Sequence, residues 1–168
     1  MAAKKTIILE GKQVEQKINR IAYELFENNF TEKTLVLVGV LPQGYILAEK
    51  LAKILNKISD CKIHLASLQL DKKNPLDTPI KISEDLSFLK NKNVILVDDV
   101  LNSGRTLMHA AAYLLQSNVK KLSTVCLVDR MHRSFPIRAD IVGLTLSTTL
   151  QEHILVEFNK HKSIVYLK

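Results

Sequence analysis

The stretch VILVDDVLNSGRT (residues 94–106) decides how the rest of the chain reads. Val94-Ile95-Leu96-Val97 is an unbroken apolar run, the pattern of a strand buried on both faces. It ends in two adjacent carboxylates, Asp98 and Asp99, followed by two more apolar residues and a small polar turn. Helical character then resumes near Arg105. In open α/β sheets, ligands bind beyond the carboxyl ends of the strands, where this acid pair falls. Asn102 and Ser103 are small, and Gly104 accepts backbone angles that other residues resist. Several N–H groups can therefore converge on one point. The helix starting at Arg105 adds the positive end of its dipole, so the turn suits a phosphate, with the Ser103 and Thr106 hydroxyls as further donors.

The carboxylates need a separate task, because beside a phosphate they repel it unless they face another part of the ligand. Carboxylates accept hydrogen bonds from vicinal hydroxyls and help to hold Mg²⁺. A 5-phosphorylated ribose offers a phosphate at one end and a 2,3-diol at the other. The stretch thus reads as a ribose-phosphate cradle. Neither G-x-x-x-x-G-K-[ST] nor G-x-G-x-x-G occurs in the chain, which sets aside those two nucleotide-binding loops.

Working outward, Val14, Ile18, Ile21 and Leu25 recur at helical spacing over residues 14–30. LVLVGVL (35–41) is a second continuous apolar run, and residues 45–58 return to helical period. KIHLASLQL (62–70) reads as a strand. Residues 71–92 are polar and contain two prolines, with a short strand near 80–82; a segment of this kind is expected to be a lid over the site. After strand 94–98 come a helix over about 105–116, strand 122–128, a charged connection, and three short strands at 141–146, 153–158 and 163–167. The order predicts an α/β fold with a mainly parallel twisted sheet and helices on both faces.

The 168 residues suit one domain over 1–168, with a core at about 10–130 and a small hood with C-terminal strands at about 131–168. The net charge of +7 favours anionic partners, phosphorylated metabolites or nucleic acid among them. Cys61 and Cys126 are far apart with no metal-ligand spacing, and Cys126 lies in an apolar run, so a buried small side chain in a reducing compartment is expected. His64, His109, His153 and His161 form no metal-binding pattern. The N-terminus lacks the apolar stretch of a signal peptide, and no run approaches the ~18 residues of a membrane span. A cytoplasmic protein is expected, with no membrane association.

VILVDDVLNSGRT resembles the phosphoribosyl-diphosphate signature of the type I phosphoribosyltransferases. A second stretch, LVDRMHRSFPIRADIVG (127–143), is similar to the corresponding region of the pyrimidine-operon attenuators that are also uracil phosphoribosyltransferases. It supplies Asp129, Arg130, His132, Arg133, Pro136, Ile137, Arg138, Ala139 and Asp140 in the shared pattern. The resemblance runs from about residue 10 to the C-terminus.

It implies the type I phosphoribosyltransferase fold, with a hood and a flexible lid loop. It also implies transfer of a 5-phosphoribosyl group from phosphoribosyl diphosphate to a nucleobase, uracil being the expected one, with loss of pyrophosphate. On this basis Asp98 and Asp99 are the catalytic acid pair, contacting the ribose diol and Mg²⁺. Asn102, Ser103, Gly104, Arg105 and Thr106 take the 5-phosphate. Gln43 and Gly44, with Lys72 and Lys73 from the lid, meet pyrophosphate, and Val142 lies at the base. RNA is an alternative partner, and a homodimer or larger homo-oligomer is implied. The chain departs from the family at two places. Leu41-Pro42-Gln43-Gly44 stands where the attenuators carry Lys-Thr-Arg-Gly, so an arginine fork for pyrophosphate is missing. Leu144-Thr145-Leu146-Ser147 stands where they continue Lys-Asn-Ile-Pro. Asn102 occupies a position where purine-salvage relatives carry an aspartate, and no general base is apparent.

Overall fold

The computed structural model describes residues 5–149, 151–159 and 162–168; His161 lies outside them. The chain runs β1 (Thr6–Glu10), α1 (Lys12–Asn28), β2 (Thr34–Val40), α2 (Gln43–Ile58), β3 (Lys62–Gln69), β4 (Lys81–Ile82), a 3-10 turn (Leu86–Leu89), β5 (Asn93–Leu101) and α3 (Arg105–Leu114). A second 3-10 turn (Leu115–Ser117) leads into β6 (Lys121–Asp129), β7 (Ile141–Thr145), β8 (Ile154–Phe158) and β9 (Ser163–Leu167).

The main sheet has the order β4-β3-β2-β5-β6-β7. Its strands from β3 to β7 are parallel, and β4 alone pairs antiparallel, with β3. Alternation along the strands divides the core. Leu35, Leu37, Ile95, Val97, Val125 and Leu127 pack with the apolar faces of α1 and α2. Val36, Val38, Val94, Leu96 and Cys126 pack with Leu107, Ala110 and Leu114 of α3 on the other face. Both faces are thus covered by helices, as a parallel sheet requires. Cys126 is buried, and burial pushes its thiol pKa well up, so it behaves as an inert apolar filler.

Local chemistry sets the helix ends. The Asn29 side-chain amide donates to Leu25 O at 2.8 Å, closing α1, and its Oδ1 accepts from Asn93 Nδ2 at 3.1 Å. The end of α1 is thereby tied to the start of β5 through a buried pair. Ser59 Oγ donates to Leu55 O at 2.8 Å and closes α2 in the same way.

Three expectations are corrected. β5 runs through Asp98 and Asp99 to Leu101 instead of stopping at the acids, because it keeps pairing with β6 as far as Leu101–Asp129. The lid is shorter than 71–92. Leu89 is fully buried, Ile80, Ile82, Leu86 and Phe88 pack against the α3-side core, and the Phe88 ring meets His64 edge-on at 5.0 Å. Only about 71–79 lacks regular structure and core packing of this kind. The sheets do not divide at residue 131. β7 joins the main sheet beside β6, whereas the N-terminal β1, absent from the sequence reading, joins the hood in a β1-β9-β8 antiparallel sheet.

Candidate active site

The carboxyl end of β5 opens into a cavity of about 280 Å³. Asp98 and Asp99 form one wall, and Asn102, Ser103, Gly104, Arg105 and Thr106 form the turn around it. All seven residues of the signature therefore reach one space. Lys72 joins them from the opening of the 71–79 segment.

The cradle is a loop-to-helix junction. Gly104 adopts the left-handed region at φ 87° and caps α3, whose first turn closes with Met108 N donating to Gly104 O at 2.9 Å. A Cβ on Gly104 would lie 2.7 Å from Ile137 Cγ2, so both its φ and its surroundings demand glycine. The charged connection buttresses this loop. Arg130 N donates to Leu101 O at 3.0 Å, and Ser134 N and Phe135 N both donate to Ser103 O, at 2.9 and 3.0 Å.

Asp129, Arg130, His132, Arg133 and Asp140 of that connection are engaged with neighbouring protein groups. Arg133 pairs with Asp129, and its Nε donates to Ile137 O at 3.0 Å. Arg130 donates to Thr148 Oγ1 and Thr149 O, His132 Nε2 bonds Thr148 O, and the Asp140 carboxylate accepts from Thr124 N at 2.8 Å. They shape the loop behind the cradle.

The acid pair is electrostatically tense. The Asp98 side chain is only 3% exposed, and burial, with the Asp99 charge beside it, pushes its pKa up to about 7 against the opposing pull of Lys72. Lys72 Nζ lies 3.1 Å from Asp98 Oδ1 and 3.7 Å from Asp99 Oδ1. Burial pulls the Lys72 ammonium down, but the two carboxylates outweigh it and hold its pKa above the ordinary lysine value.

The other expected residues fall differently. Gly44 is buried in the first turn of α2, against the backbone of Val97 and Asp98. Gln43 precedes it but does not line the cavity, and its buried Oε1 has no partner among the described residues. Lys73 points away; its backbone carbonyl accepts from Arg105 Nη1 at 2.9 Å, and the residue borders a separate surface depression with His109. Val142 is not at the cavity. It packs on the α3-side core, and its carbonyl accepts from Arg20 Nη2 at 2.6 Å. Apolar lining comes instead from Val100, Leu101 and Leu107, in or next to the signature, and from Ile154 and Leu155 of β8 in the hood. HILVEF reads as a strand in the sequence, but nothing in it shows that the hood folds back over β5.

A parallel-sheet α/β fold with an acid pair and a glycine-capped anion loop at one strand end defines a phosphoribosyl-transferring class of protein. The phosphoribosyl transferase domain model matches residues 5–159, and the chain belongs to that family. It is a pentosyltransferase by family. The chain is 36% identical to the Bifunctional protein PyrR of Fusobacterium nucleatum, over 99% of this chain and 100% of the relative. It is 37% identical to the Bifunctional protein PyrR of Limosilactobacillus reuteri, over 94% and 95%. The fold is also that of the hypoxanthine phosphoribosyltransferase of Trypanosoma cruzi, with a TM-score of 0.76 at 16% identity over 95% of each chain. Among the described residues no helix is long and apolar enough to cross a membrane.

Proposed function

We propose that this chain transfers the 5-phosphoribosyl group of phosphoribosyl diphosphate to uracil, releasing pyrophosphate. The observation that carries the reading is the convergence of Asp98, Asp99 and the 102–106 loop on one cavity. The 5-phosphate lies at the start of α3, among the loop N–H groups and the Ser103 and Thr106 hydroxyls. The diol donates to Asp98 and Asp99. Held at both ends, the sugar presents C1 to the base in fixed orientation, which removes much of the entropic barrier. As the bond to pyrophosphate breaks, positive charge grows on the ribose ring and negative charge on the leaving group. Lys72 is a cation at the site that can follow the leaving group, and the 71–79 segment, closing as Lys72 leaves the acids and meets the pyrophosphate, excludes water from the activated sugar.

Two adjacent carboxylates suit Mg²⁺, which keeps several waters and takes one or two carboxylates plus substrate phosphates. Asp98 and Asp99 would hold it, directly or through water. The chemistry Mg²⁺ supplies when bound is neutralisation of the pyrophosphate charge.

The test is a chromatographic assay with phosphoribosyl diphosphate, Mg²⁺ and a panel of bases. Uracil should be converted to its nucleoside monophosphate ahead of hypoxanthine and guanine. Binding of the sugar diphosphate with no turnover on any base would overturn the enzyme reading.

Near-full-length likeness to relatives named as bifunctional supports a second role, an RNA-binding attenuator of pyrimidine genes that senses nucleotide through the same pocket. The +7 charge suits a phosphate backbone. Salt-dependent binding to its own operon leader, strengthened by UMP, is expected; equal binding to a scrambled RNA would end this reading. A cytoplasmic homodimer or larger assembly belongs to the same proposal, and sedimentation as a monomer at micromolar concentration would refute the assembly.

A further inference from the structure

Lys72 occupies the place on the acid pair that a ligand's cation would need. Its Nζ contacts Asp98 Oδ1 at 3.1 Å and lies 3.7 Å from Asp99 Oδ1. The Lys72 side chain is 38% exposed, while those of Asp98 and Asp99 are 3% and 14% exposed. The ammonium therefore sits on the solvent side of the carboxylates and covers them.

The backbone around it is set up for this. Asp71 Oδ1 accepts from Lys73 N at 2.8 Å and Asn74 N at 3.0 Å, a turn that sends Lys72 inward while Lys73 stays at the surface. Arg105 Nη1 then binds Lys73 O at 2.9 Å, and the Arg105 guanidinium lies over the Phe135 ring at 5.5 Å. The start of the 71–79 segment is thus fastened at two points of one cradle, to the acid pair through Lys72 and to the phosphate loop through Arg105. Farther on, Pro75 is buried but Leu76 is 86% exposed, so the tip of the segment is only partly packed.

We propose that Lys72 is a resident counter-cation of the acid pair, a positioning residue that a divalent cation and the sugar diol must displace, so that filling the cradle unfastens the 71–79 segment. This rests on the sugar-phosphate reading of the cradle.

A nearly buried carboxylate beside a second one is costly without a counter-charge, and Lys72 supplies it. The same carboxylate oxygens cannot serve an ammonium and a divalent cation together, because the two positive charges repel at that range. Lysine suits the exchange better than arginine. Its point charge on a flexible stem makes single contacts that break by a rotamer change, whereas a guanidinium fork would grip both acids. Once displaced, Lys72 is free to meet the pyrophosphate end of the substrate. Lys72 accordingly weakens binding of a divalent metal to the acid pair when no sugar is present.

The test uses the full-length protein and Mn²⁺ as a spectroscopic probe, its free signal read by electron paramagnetic resonance with no sugar present. Lys72→Met should bind Mn²⁺ at least about threefold more tightly than wild type, and Lys72→Arg, which keeps the charge, should not. In wild type, saturating Mg²⁺ and ribose 5-phosphate should accelerate amide exchange across 72–79. Equal or weaker Mn²⁺ binding by a folded Lys72→Met variant overturns the proposal, as does unchanged or slower exchange of 72–79 in the liganded protein. If ribose 5-phosphate gives no calorimetric binding to wild type, the sugar-phosphate reading fails instead, and the Mn²⁺ comparison still decides whether Lys72 guards the acids.

Discussion

Gly44 rests directly on Asp98. A Cβ on Gly44 would lie 2.7 Å from Val97 O, 2.9 Å from Asp98 Cα and 3.1 Å from Asp98 Oδ1. The first two are backbone atoms, which cannot step aside as a flexible side chain does. The start of α2 and the acid pair are therefore one packing unit. Gly44→Ala should cost about 1–3 kcal/mol of stability, the usual range for overpacking a dense site. It should also weaken binding of phosphoribosyl diphosphate at least about tenfold, read by calorimetry, because relief of the clash moves Asp98. Unchanged affinity would mean that Asp98 does not contact the sugar.

The position of Asp98 has a pH signature. Its folded-state pKa, about 7, lies above the ordinary carboxylate value of 3.8. The folded protein therefore holds more protons than the unfolded chain between about 3.8 and 7, and this group's contribution to stability is lost as pH rises through that window. Asp98→Asn, neutral throughout, should raise the Tm relative to wild type at pH 8, with the gap closing towards pH 4. A gap that is the same at both pH values would show that Asp98 ionises normally.

Gly104 carries two constraints that can be separated. Gly104→Ala meets both the φ of 87° and Ile137 Cγ2 at 2.7 Å. It should lower stability by about 1–3 kcal/mol and weaken ribose 5-phosphate binding. Adding Ile137→Ala should recover the steric part only, so the double variant stays below Ile137→Ala alone in thermal melts.

Arg133 and Asp129 hold the buttress behind the cradle. Asp129 is 5% exposed, so Arg133→Met leaves a buried carboxylate without its ion partner, at a cost of about 3–5 kcal/mol. If the loop it supports binds the phosphate, KM for phosphoribosyl diphosphate should rise more than kcat falls in steady-state assays at low temperature. A loss in kcat alone would place Arg133 in the chemistry.

Under the transferase reading, the hood wall is the candidate contact for the base. Ile154 and Leu155 line the cavity, and Val142 does not. Leu155→Ala should raise KM for the base several-fold and leave the affinity for phosphoribosyl diphosphate unchanged. A matching loss of sugar-diphosphate affinity would put Leu155 at the other end of the site.

What the sequence disclosed follows from how local each feature is. VILVDDVLNSGRT carries strand, acids, turn and helix start in one contiguous piece, so the cradle was legible before any fold was known. The two-sided core was legible for the same reason, since 35–41 and 94–97 are apolar without interruption. The hood was not, because β1 finds its partner β9 at the far end of the chain, from Thr6–Leu167 to Glu10–Ile164. Its five residues hold no signal of that pairing. Residues 80–89 read as lid because Lys81, the Ser83-Glu84-Asp85 run and Ser87 split their apolar side chains into pieces too short to show a period, yet Leu89 is fully buried. The inward turn of Lys72 and outward turn of Lys73 depend on the Asp71 side chain, a detail that two adjacent lysines in a polar stretch do not reveal.

The central claim is that Asp98 and Asp99 hold the sugar of a phosphoribosyl donor whose phosphate lies in the 102–106 loop. Its most direct test is a calorimetric titration of phosphoribosyl diphosphate with Mg²⁺ into wild type and into Asp98→Asn/Asp99→Asn, with transfer to uracil followed on the same samples. The account predicts saturable binding and turnover by wild type, and loss of both in the double variant with its fold intact. Wild-type affinity in the double variant would contradict it.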